Sequence, residues 1–139
     1  MAFTVTRVVP RLRIFDVAKA REFYLGYLGM SVVFEHRFGE DFPLFMGVSR
    51  DGLVLHLSEH HGDGSPGTAF RIVIAGLDDL HRELAAKSYR YAHPSIETTE
   101  WGSRDMTVID PFGNRLTFTE PLEAAAGEPA DAAGATTSS

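Results

Sequence analysis

A chain of 139 residues, 44% hydrophobic and 23% charged, is long enough to bury roughly two thirds of its unfolded surface, in one domain or in two small repeats. Its net charge of −6 argues against nucleic acid, whose binding depends on Lys and Arg neutralising phosphates, and favours a cationic small molecule. With no cysteine there is no disulfide framework, thiolate ligand or thiol nucleophile.

No apolar run approaches the ~18 residues of a membrane span. The opening MAFTVTRVVPRLR lacks the apolar centre of an export signal, so cytoplasmic residence is the expectation. From RVVPRLRIF the chain has strand character, with Pro10 marking an edge or an irregular entry. DVAKAREFYLGYLGM then switches to a helical period, placing Val17, Ala20, Phe23, Tyr24, Tyr27 and Leu28 on one stripe. Asp16 is the N-cap, Gly29 the stop, and the helix should run about three turns. SVVFEHRF, PLFMGVSR and LVLHLSEH follow as three strands separated by the turn residues GEDFP and SRDG.

The second half repeats the plan. GTAFRIVIAG reads as a strand and LDDLHRELAAKSY as a helix with Leu77, Leu80 and Leu84 on its buried stripe. RYAHPSIETTE is a short irregular strand and loop, and WGSRDMTVID and NRLTFTE are strands joined by the turn DPFGN. Two half-units, about residues 5–60 and 68–121 of a single domain 1–121, are expected to combine their strands around a cavity. Residues 122–139 are Ala, Gly, Ser and Thr with little to bury and are expected to be disordered. Half of the net negative charge lies there, in Glu123, Glu128 and Asp131.

GLVLHLSEHHGDGSPG gathers His56, Glu59, His60 and His61, side chains of the metal-binding type. Such a cluster is a site only if the fold aims its members at one point. His60, His61 and Glu59 lie at or past the strand end beside turning backbone and are read as solvated loop residues.

In order and spacing, FDVAKAREFYLGYLGM, GLDDLHRELAAK and WGSRDMTVIDPFGNRLTF resemble the glyoxalase, bleomycin-resistance and extradiol dioxygenase superfamily, the vicinal oxygen chelate fold, over residues 5–121. The resemblance implies an α+β fold in which two βαβββ repeats form an open, mixed, barrel-like sheet. Metal enzymes of that superfamily draw one ligand from each of four strands, and the matching positions here are Val9, His56, Ala69 (or its neighbours Phe70 and Arg71) and Thr117. Only His56 coordinates firmly. A catalytic divalent site needs about three His, Asp or Glu ligands, so no metal and no cofactor is expected.

With Val9 and Thr117 facing the cavity, alternation turns Arg11, Arg13, His56, Ser58, Ala69, Arg71, Val73, Arg115 and Thr119 inward. Leu12, Ile14, Leu55, Leu57, Leu116 and Phe118 pack beneath the helices. Such a groove has cations and hydroxyls, no paired carboxylates, and no general base other than His56, which is poor equipment for acid–base chemistry. Phe34, Phe38, Phe42 and Phe45 and the single tryptophan, Trp101, supply flat surfaces for stacking.

The chain is most similar to the bleomycin-resistance members. That resemblance implies a homodimer whose first strand crosses to its partner near Pro10, with two interface grooves that sequester an antibiotic without altering it. Phe34, Phe38, Phe45, His56, Ser58, Arg71, Trp101, Arg115 and Thr117 are the expected ligand contacts. Neither nucleic acid nor membrane is an expected partner. The inward arginines depart from what a strongly cationic drug would want and leave a metal-chelated, anionic or quinone-like product open. A glyoxalase-like lyase or isomerase of the same fold is the alternative.

Overall fold

The computed structural model describes residues 2–37 and 39–122. Its elements repeat one plan twice. The first pass is β1 (Arg11–Arg13), α1 (Val17–Arg21) continuing as a π-helical segment (Glu22–Tyr27), β2 (Ser31–His36), β3 (Phe45–Arg50) and β4 (Leu53–Ser58). The second is β5 (Ala69–Val73), α2 (Leu77–Ala86), β6 (Ile96–Thr98), β7 (Ser103–Ile109) and β8 (Arg115–Pro121). Each pass builds its own four-stranded mixed sheet, in the orders β1-β4-β3-β2 and β5-β8-β7-β6. The expected α+β fold of two βαβββ repeats is therefore present, each repeat forming a mixed sheet of its own. The reason lies in the pairing: β1 runs parallel to β4 and β5 parallel to β8, so each half completes its ladder internally.

Among the described residues two compact units result, one within 2–68 with 109–114, the other of 69–108 with 115–122. The expected disordered tail lies, from residue 123, outside the described residues. Leu122 is hydrogen-bonded through its backbone N–H to the Gly102 carbonyl.

In the first unit Asp16 caps α1, its carboxylate accepting from Lys19 N at 2.9 Å. The predicted stripe is buried at Ala20, Phe23, Tyr24, Tyr27 and Leu28. The helix differs from expectation in its second half, where Leu28 N reaches back five residues to Phe23 O at 2.9 Å. This wider turn accompanies the burial of three large rings, with Phe23 4.9 Å from Tyr24 and 5.6 Å from Tyr27 between centroids. Strand β1 begins four residues later than the apolar pattern suggests. Pro10 has no N–H to give a ladder, although its carbonyl accepts from His56 N at 2.9 Å. Residues 2–10 belong to no helix or strand, and Phe3, Val5 and Val8 are exposed.

The DPFGN turn ties this unit together. Buried Asp110 accepts from Phe112 N and Asn114 N through Oδ1, both at 2.8 Å. Its Oδ2 accepts from the Tyr24 hydroxyl at 2.6 Å and Asn114 Nδ2 at 2.8 Å. Asn114 Nδ2 also donates to Arg13 O at 3.1 Å, and its Oδ1 accepts from Thr68 N at 3.0 Å. Gly113 takes φ +86°, the left-handed backbone that the turn requires.

In the second unit, alternation along β7 and β8 buries Met106, Val108, Leu116 and Phe118. Helix α2 packs against β8, burying Leu77 and Leu84. It is fastened at its start: Gly76 N donates to Glu120 at 2.8 Å, and Arg104 of β7 grips Asp78 through two hydrogen bonds of 2.7 and 3.0 Å. No described helix is long and apolar enough to cross a membrane.

Candidate functional site, an aromatic sheet face

The face of the first sheet that carries His56 is built by strand register. Arg11 of β1 stands opposite His56 of β4, His56 opposite Gly47 of β3, and Gly47 opposite Phe34 of β2, so one row crosses all four strands. Opposite residues share a face. In the adjoining row Arg13 and Phe45 flank Ser58. The predicted residues Phe34, Phe45 and His56 therefore converge. The two phenyl centroids lie 5.6 Å apart, and each is 5.2 Å from the imidazole in an edge-to-face arrangement. Arg11 places its guanidinium 5.1 Å from the centre of the Phe45 ring, and Asp63 meets it at 3.4 Å. Phe38 lies outside the described residues. Phe42 is exposed in the β2–β3 turn and has no place in the triad.

Ser58 behaves differently from expectation. It is fully buried, its hydroxyl donating to Asp63 Oδ2 at 2.8 Å and accepting from His60 N at 3.0 Å, so it anchors the following loop. Glu59 is not a solvated loop residue either: it is part-buried and accepts from Leu44 N at 2.9 Å. The histidine-rich stretch is thus a loop fastened to its own sheet, with His61 exposed.

Burial pushes the His56 pKa below its ordinary value near 6.5, and the Arg11 charge pushes in the same direction. The imidazole is therefore neutral at pH 7, able to stack and to donate or accept one hydrogen bond. The folded protein binds this proton less readily than the unfolded chain. Stability should fall as the pH drops below about 6.5 and level off once the folded-state pKa is passed. Replacing Arg11 by Gln should raise the His56 pKa, read by NMR titration of its ring protons; an unchanged value would show that Arg11 does not set it.

In the second unit, Arg71 and Thr117 stand opposite one another on β5 and β8. Arg71 is not a free cation. Its Nη1 donates to Asp105 of β7 at 3.0 Å and its Nη2 to Thr119 Oγ1 at 3.0 Å. Asp105 also accepts from the Thr119 hydroxyl at 2.6 Å and the Ser103 hydroxyl at 2.9 Å. Burial works to raise its pKa, but these hydrogen bonds and the Arg71 charge outweigh it and hold it low. Thr117 shares a 2.8 Å hydrogen bond with Thr107. Arg115 is exposed. Trp101, 72% exposed, projects from the tip of the β6–β7 hairpin. Thr99 N donates to Ser103 O at 2.8 Å and Ser103 N to Thr99 Oγ1 at 3.1 Å, which closes that tip.

Asp63 and Asp105 were the residues that sequence reasoning missed. Asp105 carried a signal: Ser103, Asp105 and Thr107 alternate with Met106 and Val108, marking a polar face on β7. Asp63 sits among turn glycines and carried none.

The sequence matches the model of the glyoxalase superfamily over residues 2–125. The chain belongs to the glyoxalase superfamily. Within it, the bleomycin resistance protein of Geobacillus stearothermophilus is 27% identical over 133 residues, spanning 83% of this chain and 96% of the relative; a bleomycin resistance protein of Staphylococcus aureus matches to the same extent. The fold is similar to a bleomycin-binding protein solved in complex with bleomycin, at TM-score 0.66 and 22% identity over 84% of this chain and 98% of the other. It is also similar to the bleomycin-binding protein of bleomycin-producing Streptomyces verticillus, solved with copper(II)-bleomycin, at TM-score 0.63 and 28% identity over 86% and 98% of the two chains.

The metal positions marked by the family pattern, Val9, His56, Ala69 and Thr117, offer one imidazole. Among the described residues, no three His, Asp or Glu side chains form a group able to hold a metal ion. The residues present do not fit the superfamily's divalent site.

Proposed function

We propose that this protein sequesters an antibiotic of the bleomycin type by stacking and hydrogen bonding, without changing it chemically. The observation that carries the reading is the convergence of Phe34, Phe45 and His56 on one sheet face. Three rings in edge-to-face and tilted contact offer an aromatic surface for stacking at little entropic cost. Among the described residues, no carboxylate hydrogen-bonds the His56 ring to orient it as a base. The relatives named for bleomycin resistance and the 28% identical protein that holds copper(II)-bleomycin supply the ligand class.

Charge bears on the same question. Asp63 offsets Arg11 and Asp105 offsets Arg71, so these two arginines oppose a cationic drug less than their number suggests. Trp101, Arg115, Thr117 and Arg71 are proposed as further ligand contacts from the second unit. The assembly is proposed to be a homodimer, with the first strand crossing to its partner near Pro10. Exposed Phe3, Val5 and Val8 support this, because an arm with apolar side chains in water gains from burial against a second copy.

Titration with bleomycin should quench the emission of Trp101, the sole tryptophan, in a saturable manner, and the drug recovered afterwards should have its original mass. Altered drug would instead support the alternative, an enzyme using His56 as base. A His56→Ala variant that still protects cells would remove that alternative.

A further inference from the structure

Phe34 reaches the aromatic face through two features that nothing so far explains. The first is a β-bulge. Along β2 and β3, Ser31 pairs with Ser49 and Val32 with Val48, after which the register shifts and Phe34 pairs with Gly47. Unbroken register would set Val33 against Gly47 and Phe34 against Met46, whose side chain is fully buried. The extra residue turns Phe34 onto the face of His56 and leaves Val33 exposed. The second is the residue opposite. A Cβ on Gly47 would lie 2.5 Å from Phe34 Cε2 and 2.9 Å from Cδ2, closer than any carbon contact allows. The phenyl ring rests on bare β3 backbone, covering the gap that a glycine leaves in a strand interior.

We infer that the Val33 bulge and Gly47 together form a seat for the Phe34 ring, which makes Gly47 a positioning residue for ligand binding. The inference rests on the reading that the Phe34, Phe45 and His56 face holds the ligand, and it deepens that reading. With the ring down in its seat, Phe34 keeps its edge-to-face contact with His56. Any side chain at position 47 lifts the ring off His56 and breaks that contact. The position of the ring is thus set by the absence of one methyl group.

The test uses Gly47→Ala, Phe34→Ala and the double variant in the full chain, with bleomycin as the probe. In ligand-free protein, Gly47→Ala should abolish the nuclear Overhauser contacts between the Phe34 and His56 rings and raise the His56 pKa, since burial of the imidazole is relieved. It should weaken bleomycin binding about three- to tenfold, the worth of one aromatic contact. In the Phe34→Ala background the same substitution should change affinity less than twofold. Retained ring contacts, or an equal loss in both backgrounds, would overturn the seat. Should Gly47→Ala not fold, recovery of folding in the double variant supports a clash with the ring, and failure of both overturns it. Wild-type protein that does not bind bleomycin would defeat the sequestration reading, while the ring contacts and the His56 titration would still decide the seat.

Discussion

Replacing Asp110 by Ala is expected to lower the free energy of unfolding by about 3–5 kcal/mol, measured by urea titration. The carboxylate is 4% exposed and takes four hydrogen bonds: from Phe112 N, Asn114 N, Asn114 Nδ2 and the Tyr24 hydroxyl. Removing it strands donors in a dry interior, and an unsatisfied buried group costs more than the average hydrogen bond contributes. Tyr24→Phe removes one donor and should cost roughly 1–2 kcal/mol. The pair should be non-additive, because both changes break the same bond. Burial of the Tyr24 phenol, followed by the nearby Asp110 charge, raises its pKa well above the ordinary 10.0. The folded protein holds that proton more tightly than the unfolded chain, so this contribution is complete below about pH 10 and is lost as the pH climbs toward the folded-state value. An Asp110→Ala protein within 1 kcal/mol of wild type would show that the DPFGN turn does not hold the first unit together.

Replacing Phe45 by Ala is expected to weaken bleomycin binding roughly thirty- to a hundredfold, the range of a buried aromatic anchor. Phe45 contacts Phe34 and His56 and lies under the Arg11 guanidinium, so its loss removes one wall and loosens the other two. Calorimetric titration gives the ratio. Phe42→Ala is the control, since Phe42 is exposed outside the triad and its replacement should leave affinity within twofold. Equal effects of the two substitutions would move the ligand off this face.

What could be read from the sequence follows from how each feature is encoded. The stripe through Ala20, Phe23, Tyr24 and Tyr27, the Asp16 cap and the alternation of Leu55 and Leu57 with His56 and Ser58 are local patterns, and local patterns survive in one dimension. They sufficed to give both halves their strand, helix and three strands, and to put Phe34, Phe45 and His56 among the candidates. What escaped depends on register and on distant partners. The bulge at Val33 shifts a ladder by one residue with no compositional mark, so the relation of Phe34 to Gly47 was invisible. Asp63 and Asp105 neutralise arginines 52 and 34 positions away, and Ser58 spends its hydroxyl on Asp63 and His60 N, holding its own loop. The division into two sheets likewise depends on which strand each first strand pairs with, a long-range choice that periodicity does not record.

The central claim is that this sheet face grips its ligand and leaves it intact. The most direct measurement is an NMR titration with bleomycin that follows the Phe34, Phe45 and His56 ring resonances together with those of the drug. Saturable shifts of all three rings, with only unmodified drug in the spectrum, are the predicted result. Rings that stay unmoved at saturating drug, or the growth of new drug-derived signals, would contradict it.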